Sequence, residues 1–192
     1  MAMSALNHPI FHAKADNEKL LALLRASRER FLQSSAGLTD EESRRRSSDG
    51  QWSVLDTVEH LTVAEKTMYG LVTGLRRPRA ADAPNREEVF LQVIADRSRK
   101  VESPEGARPQ GRFANLTDAA AQFRSSRDAT IGFVEQNTDD LRATEVTHPH
   151  PMAGNVSTYE MLIIMAKHAE RHALQIEEIR NSAAFRAGVA KS

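Results

Sequence analysis

The sequence predicts an all-α protein whose helices form a four-helix bundle, and three observations support this fold class. Only 5% of the residues are aromatic, and the apolar residues are mostly leucine, alanine, valine and methionine, a composition more typical of helical than of strand-rich proteins. Four long segments carry apolar residues on a 3.6-residue rhythm. At 192 residues, 40% of them hydrophobic, the chain is long enough to bury one core, so we expect a single domain.

The first two long helices are separated by a polar, arginine-rich loop. Residues 1–13 lack a helical rhythm and predict an irregular lead-in, after which residues 16–34 form the first helix. The second helix covers residues 53–74. Ser53 has the chemistry of an N-cap, and Asp56 stands three residues later in the capping-box position, where its charge also suits the helix dipole.

A long connection follows the second helix. Residues 76–84, rich in arginine, proline and alanine, predict a linker, and residues 89–94 a short amphipathic helix. The third long helix is expected over residues 116–137 and the fourth over residues 157–181, which leaves 182–192 as a loosely held tail. Residues 14–181 therefore form the four-helix domain, with a long crossover between its second and third helices.

Composition excludes several classes of function. Lys+Arg and Asp+Glu both number 26, so no overall positive field attracts nucleic acid or an anionic membrane. The chain has no cysteine, which excludes disulfides, thiolate metal ligands and a cysteine nucleophile. No segment approaches the ~20 apolar residues of a membrane span, and the N-terminal residues lack the pattern of a secretion signal. We expect a cytoplasmic protein that does not associate with membranes.

A pair of histidines in the fourth helix is the strongest chemical signal. His168 and His172 are four residues apart, so an α-helix stacks both imidazoles on one face. Two imidazoles are two thirds of a three-histidine metal site, and His60 in the second helix is the third candidate. The alternatives are a solvated histidine pair or buried histidines satisfied by backbone carbonyls. The apolar neighbours of the pair on its own face argue against a solvated one: Leu162, Met165, Ala169 and Ile176.

Three motifs, in this order and spacing, resemble the DinB-like superfamily over roughly residues 14–180. They are Trp52-Ser53-x-x-Asp56-x-x-x-His60-Leu61, the loop with His148-Pro149 and Gly154, and His168-x-x-x-His172-x-x-Gln175-Ile176.

The resemblance implies a bundle of up-down-down-up topology, often dimeric, in which His60, His168 and His172 bind one divalent metal ion. Zinc and nickel are the metals expected from the family, although imidazole ligands alone also suit copper and iron. The chemistry of the family ranges from thiol-dependent transferases and isomerases that use mycothiol or bacillithiol to members with no known reaction, so the resemblance does not name a substrate.

Other residues near the histidines have two interpretations each. Asp56 lies one turn before His60 and either accepts a hydrogen bond that orients its ring or caps the helix with Ser53. Gln175 either bonds near the site or braces a neighbouring helix. Glu59 points about 100° away from His60, which favours solvation or pairing with a base over metal binding.

Two loop histidines and two further side chains complete the candidates. His150, and less specifically His148, reaches over the metal as a general base or an extra ligand, or is exposed and idle. Trp52 anchors the start of its helix in the core or lines a substrate pocket. Arg127, on an apolar stripe, binds an anionic substrate or pairs with a buried carboxylate, and pairing is the safer expectation.

Two functional hypotheses follow from these residues and the resemblance. The first is a metal-dependent transferase or hydrolase that activates water or a low-molecular-weight thiol for attack on a small electrophile. Any thiolate must then come from a cosubstrate, because the chain has no cysteine. The second is a non-catalytic module in which the metal only ties helices together, in a binding or dimerisation protein. We expect a small-molecule substrate and a homodimer.

Overall fold

The computed structural model of the protein describes residues 9–47, 51–148, 150 and 153–189. Four of the helices in these residues are long, and a pair of short strands accompanies them. In chain order the elements are α1 (Pro9–Ser35), α2 (Asp40–Arg44), α3 (Val54–Thr73), β1 (Arg76–Pro78), α4 (Glu87–Val93), a 3₁₀ turn (Glu105–Ala107), α5 (Leu116–Gln136), β2 (Thr144–Val146), α6 (Thr158–Asn181) and α7 (Ala183–Val189).

The long helices α1, α3, α5 and α6 form the four-helix bundle that the sequence predicts. Each of them packs against two of the others, in the cyclic order α1, α6, α3, α5. Helices α1 and α6 are parallel, because Tyr159 at the start of α6 donates to the Asp16 carbonyl in the first half of α1 (3.2 Å), and Arg180 near the end of α6 donates to the Ser34 carbonyl near the end of α1 (2.7 Å). Helix α5 is antiparallel to α1, since Asn17 at the start of α1 donates to the Asn137 carbonyl just after α5 (3.4 Å).

Helix α3 runs parallel to α5 and antiparallel to α6. Thr62 of α3 contacts Ala119 at the start of α5, and Glu65, one turn later in α3, contacts Arg127, which lies later in α5. Residue numbers therefore increase in the same direction along both helices. His60, near the start of α3, faces the middle of α6. The topology is therefore up-down-down-up, as expected, and the long connection between the parallel helices α3 and α5 runs back along the length of the bundle, from the end of α3 past Glu59 and His60 near its start.

A buried polar layer lies between two apolar clusters of the core. One cluster includes Leu24 and Met68, and the other includes Phe31 and Leu61. Between them, the side chain of Arg127 donates to both carboxylate oxygens of a glutamate on α3 (2.7 and 2.8 Å), and both side chains are fully buried. The expected pairing of Arg127 with a buried carboxylate is confirmed.

Three features of the fold differ from the sequence-based expectations. Helix α1 begins at Pro9, inside the expected irregular lead-in, and proline is well suited to the first turn of a helix because its missing N–H has no partner there. Residues 183–189 form α7 instead of a loose tail, and the side chain of its Phe185 is buried in the core, with 4% of its surface exposed. Residues 1–8 and 190–192 of the two predicted termini lie outside the described residues.

The third difference is a small antiparallel sheet. Strand β1 lies in the expected linker, and it pairs with β2 in a register that sets Arg76 opposite Val146 and Pro78 opposite Thr144. Each strand has only three residues, too few to show an alternating pattern in the sequence. Within the described part of the chain, no helix combines the length and the apolar character that a membrane crossing requires.

Candidate metal centre

Capped helices hold the three histidines of the site. Ser53 and Asp56 form a reciprocal capping box at the start of α3, and Ser157 and Glu160 form another at the start of α6. Each cap satisfies amide groups that would otherwise lack partners in the first turn. His60 then lies in the second turn of α3, and the antiparallel packing brings it opposite the middle of α6.

The Nε2 atoms of the three histidines converge. His168 Nε2 lies 2.9 Å from His172 Nε2 and 3.4 Å from His60 Nε2, and the ligand atoms of all three lie within 4.8 Å of one another. Two nitrogens bound to one zinc ion at 2.0–2.1 Å are about 2.9 Å apart at a right angle and about 3.3 Å apart at the tetrahedral angle. The two distances from His168 Nε2 therefore fit a single divalent ion.

In His60 and His172 the Nδ1 atom is hydrogen-bonded, which leaves Nε2 free to bind a metal. The Nδ1–H of His60 donates to the Ala107 carbonyl (2.8 Å), and the Nδ1–H of His172 donates to Gln175 Oε1 (2.8 Å). Both partners act as acceptors, so the proton of each neutral ring lies on Nδ1 and the lone pair lies on Nε2. Arg97, which can only donate, also contacts Gln175 Oε1 (3.5 Å) and supports the orientation of that amide.

Burial keeps the histidines neutral. It lowers the pKa of His60, although the hydrogen bond to the Ala107 carbonyl acts in the opposite direction. Burial lowers the pKa of His168 and of His172 well below the usual range, and repulsion from neighbouring imidazoles adds to the effect. Neutral imidazole is the form that binds metal, so these residues fit the ion at neutral pH without losing a proton first.

Neither carboxylate next to His60 in sequence touches its ring. Asp56 caps α3 by accepting from the Ser53 amide (3.0 Å) and also pairs with Arg46 (3.0 Å). The acceptor that orients His60 is a backbone carbonyl instead, because the capping position points the Asp56 carboxylate back toward the helix start. Glu59 is buried and pairs with Arg112 (2.7 Å), in line with the expected pairing with a base.

Trp52 lies against the site. Its ring centroid is 4.8 Å from that of His60 and 6.5 Å from that of His172, and the side chain is half-buried. Of the two roles considered for Trp52, this position brings its ring beside the imidazoles. A cleft of about 110 Å³ beside the indole is also lined by Arg97 and Gln175, on the outer side of His172.

The loop before α6 carries the other candidate histidines. His150 is half-buried, and its ring is near enough to His168 to contribute to the lowered pKa of that residue. Its Nδ1 accepts from the Ala153 amide (3.2 Å), and burial lowers its own pKa. His148 is exposed. Pro149, Pro151 and Met152 of this predicted loop lie outside the described residues.

Sequence reasoning did not find the groups that the crossing segment between α4 and α5 adds to the site. These are the Ala107 carbonyl and the Ser103 hydroxyl, which lies 3.3 Å from His60 Nδ1. A backbone carbonyl has no sequence signature, and the segment lies more than forty residues from His60 in the chain. The only available signal was its length between two long helices.

Comparisons with known proteins identify the family of the chain. A family model described as "DinB superfamily" matches residues 23–176. The chain is 25% identical over 147 residues to "Uncharacterized protein YuaE" of Bacillus subtilis (strain 168), covering 75% of this chain and 86% of that protein.

Among solved structures, the chain is similar to one described as "YfiT from Bacillus subtilis is a probable metal-dependent hydrolase with an unusual four-helix bundle topology". The similarity has a TM-score of 0.56 at 16% identity and covers 90% of this chain and 87% of that one. At this level of identity the likeness supports the fold alone.

Proposed function

Since this chain belongs to the DinB superfamily, we propose that it is a metal-dependent enzyme in which His60, His168 and His172 hold one divalent ion, zinc or nickel. We further propose that it activates water or a low-molecular-weight thiol for attack on a small electrophile, as a hydrolase or an S-transferase. The convergence of the three Nε2 atoms carries this proposal. The description of YfiT as a probable metal-dependent hydrolase is consistent with it.

The ligand set favours a catalytic over a purely structural ion. A divalent ion bound by three neutral imidazoles has an open coordination position and lowers the pKa of a water or thiol bound there. No carboxylate belongs to the ligand group found among the described residues. The three residues therefore leave the positive charge of the ion uncompensated, which strengthens its attraction for an anionic nucleophile.

Activation of a metal-bound water or thiol is also favoured by a site that is shielded from bulk solvent. Trp52 covers the imidazoles of His60 and His172 on one side. His60 and His172 are 5% and 6% exposed, so these two ligands are shielded from bulk solvent, whereas His168 is half-buried. A dry surrounding strengthens electrostatic interactions with a developing negative charge.

His150 is the candidate for proton transfer. Because its Nδ1 accepts from the Ala153 amide, the neutral ring carries its proton on Nε2. The neutral ring can donate a hydrogen bond from Nε2–H to a bound substrate, and it can accept a proton as a general base only if Nδ1 exchanges the Ala153 amide for the proton of the nucleophile. This refines the base or ligand role considered from the sequence.

The test combines metal analysis with two reactions. The purified protein is analysed for bound metal and then assayed, metal-free and reloaded with Zn²⁺ or Ni²⁺, for hydrolysis of activated esters and for conjugation of a small aliphatic thiol to an alkyl halide. We expect one ion per chain and activity only in the loaded protein. His168→Ala should lose both, because two imidazoles hold a divalent ion too weakly, whereas alanine preserves the helix.

The matched control is His148→Ala, which removes an exposed histidine from the loop before α6 and should keep metal and activity. Activity that survives in metal-free His168→Ala would refute the proposal. Stoichiometric metal with neither reaction, together with complete unfolding on chelation, would instead support the non-catalytic module that ties helices together.

A further inference from the structure

The connection between α4 and α5 crosses over the candidate metal centre. We call residues 96–112 the strap. At its first end, Arg97 forms two hydrogen bonds to the Glu178 carboxylate (2.7 and 2.6 Å). Arg171 of α6 donates to the carbonyls of Asp96 and Arg99. This end of the strap is therefore fastened to α6, the helix of His168 and His172.

The other end of the strap is fastened to α3 by a buried carboxylate. Glu59 is 1% exposed, and its oxygens accept three hydrogen bonds from the strap. The donors are the Gln110 amide (2.6 Å), the Arg112 amide (3.0 Å) and the Arg112 guanidinium (2.7 Å). A buried carboxylate is stable only with such partners, so Glu59 constrains the strap strongly.

Arg112 transmits this constraint to the turn that touches the histidine. Its guanidinium also donates to the carbonyls of Arg108 (2.9 Å) and Gly106 (3.2 Å). These two carbonyls flank Ala107, the last residue of the 3₁₀ turn. Glu59 and Arg112 together therefore determine where the Ala107 carbonyl points.

The Ala107 carbonyl is the acceptor for His60 Nδ1–H (2.8 Å). Without an acceptor there, the proton of a neutral imidazole exchanges between Nδ1 and Nε2, and the Nε2–H form cannot bind a metal through that atom. Partners of this kind fix the tautomer and the ring orientation of metal-binding histidines.

We propose that Glu59 is a positioning residue of the metal centre, which acts through Arg112 and the Ala107 carbonyl to hold His60 in the Nδ1–H tautomer with Nε2 directed at the ion. Its effect on metal affinity rests on the proposed function, whereas its effect on the tautomer of His60 does not. Asp56, although one turn from His60, has no part in this chain of contacts.

The test uses Glu59→Gln and two measurements. Glutamine keeps the volume but offers one acceptor oxygen, so the three donors of the strap no longer share a carboxylate. Nitrogen-15 NMR of the imidazoles in the metal-free protein reports the tautomer of His60, and competition with a chromophoric chelator gives the Kd for Zn²⁺. We expect the wild type to hold Nδ1–H, and the variant to gain Nε2–H and to bind Zn²⁺ about 10- to 100-fold more weakly.

Glu65→Gln is the matched control. It makes the same substitution at a buried, arginine-paired glutamate of the same helix, but Arg127 on α5 is the partner instead of the strap. It should lower the melting temperature and leave both the His60 tautomer and the Kd unchanged. Arg112→Lys is the second variant. It keeps a cation for Glu59 but cannot bridge both carbonyls, so it should show the same tautomer change even if Glu59→Gln folds poorly.

The outcomes separate the two proposals. A wild type that binds no divalent ion refutes the proposed function, while a tautomer change in Glu59→Gln or Arg112→Lys still supports positioning. An unchanged Nδ1–H tautomer and unchanged Kd in both strap variants would overturn the positioning role. An equal tautomer change in Glu65→Gln would overturn it as well, since the effect would then come from any loss of a buried ion pair.

Discussion

Replacing Arg127 by methionine should destabilise the bundle strongly. The guanidinium is fully buried and makes five hydrogen bonds. Its acceptors are the side chains of Glu65 and Ser27 and the carbonyls of Leu24 and Met165, so it joins α5 to the other three long helices. Methionine fills much of the same volume but leaves the Glu65 carboxylate buried without its cation.

The expected size of the effect follows from this uncompensated charge. Removing one partner of a buried ion pair destabilises a protein by about 3–5 kcal/mol. For a chain of this length, about 1 kcal/mol shifts the melting temperature by about 2–4 °C, so we expect a decrease of about 6–20 °C. In the double variant Arg127→Met/Glu65→Leu no buried charge is left unpaired, and most of this stability should return, because apolar replacements of buried ion pairs are often neutral or stabilising.

Scanning calorimetry and urea denaturation of the single and double variants provide the measurement. The control is Arg25→Met, which breaks the pair of Arg25 with Glu135, whose side chains are 51% and 46% exposed. Exposed pairs contribute about 0–1 kcal/mol, so this variant should unfold close to the wild type. The reasoning fails if Arg127→Met is no less stable than Arg25→Met, or if the double variant is less stable than the single one.

Four further predictions concern the metal centre. Zn²⁺ at a hundredfold excess over Kd should raise the melting temperature by about 5–11 °C, from about 2.7 kcal/mol of linkage, and an equal shift in His168→Ala would refute the assigned ligand. Burial lowers the pKa of His172 below its value in the unfolded chain, about 6.5, so the unfolded state binds more protons in acid. The free energy of unfolding of the metal-free protein should therefore fall as the pH drops below about 6.5, and an equally steep fall in His172→Gln would contradict this cause. His150→Ala should keep the metal but lose about 10²–10⁴-fold in rate if the ring transfers a proton, and an unchanged rate would make it idle. The fluorescence of Trp52, the only tryptophan, should be quenched by bound Ni²⁺, because its ring centroid lies 4.8 Å from that of His60; saturable Ni²⁺ binding without quenching would argue against a site beside the indole.

Helix boundaries were predicted well where caps mark them. Ser53 with Asp56 forms the predicted capping box, and the fourth helix, expected from residue 157, begins with the box of Ser157 and Glu160. Caps depend on residues three apart, so a short stretch of sequence contains the whole signal. The start of α1 at Pro9 and the added helix α7 were missed, since neither has a long apolar rhythm. The homodimer and the cytoplasmic location stay predictions.

The candidate site was predicted in part for the same reason. The pairing of His168 with His172 follows from helical geometry, and their apolar neighbours indicate burial. His60 was a candidate from its place on another helix, but only the family resemblance joined it to the pair, because no local pattern connects residues more than a hundred positions apart. Of the two roles considered for Asp56, the structure shows the helix cap with Ser53, and the acceptor for His60 Nδ1–H is the Ala107 carbonyl.

By itself the sequence determined the four long helical segments, the apolar face of each, and that two histidines share a face, because these properties depend on residues within one or two turns. Tertiary structure alone decided that the Nε2 atoms of His60 and His168 lie 3.4 Å apart, and that the strap supplies the acceptor for His60. Such contacts arise from the packing of whole helices and from backbone groups, which every residue carries in common. The physical limit is that side-chain identity encodes local preference, whereas a metal site depends on ångström-scale distances between distant segments.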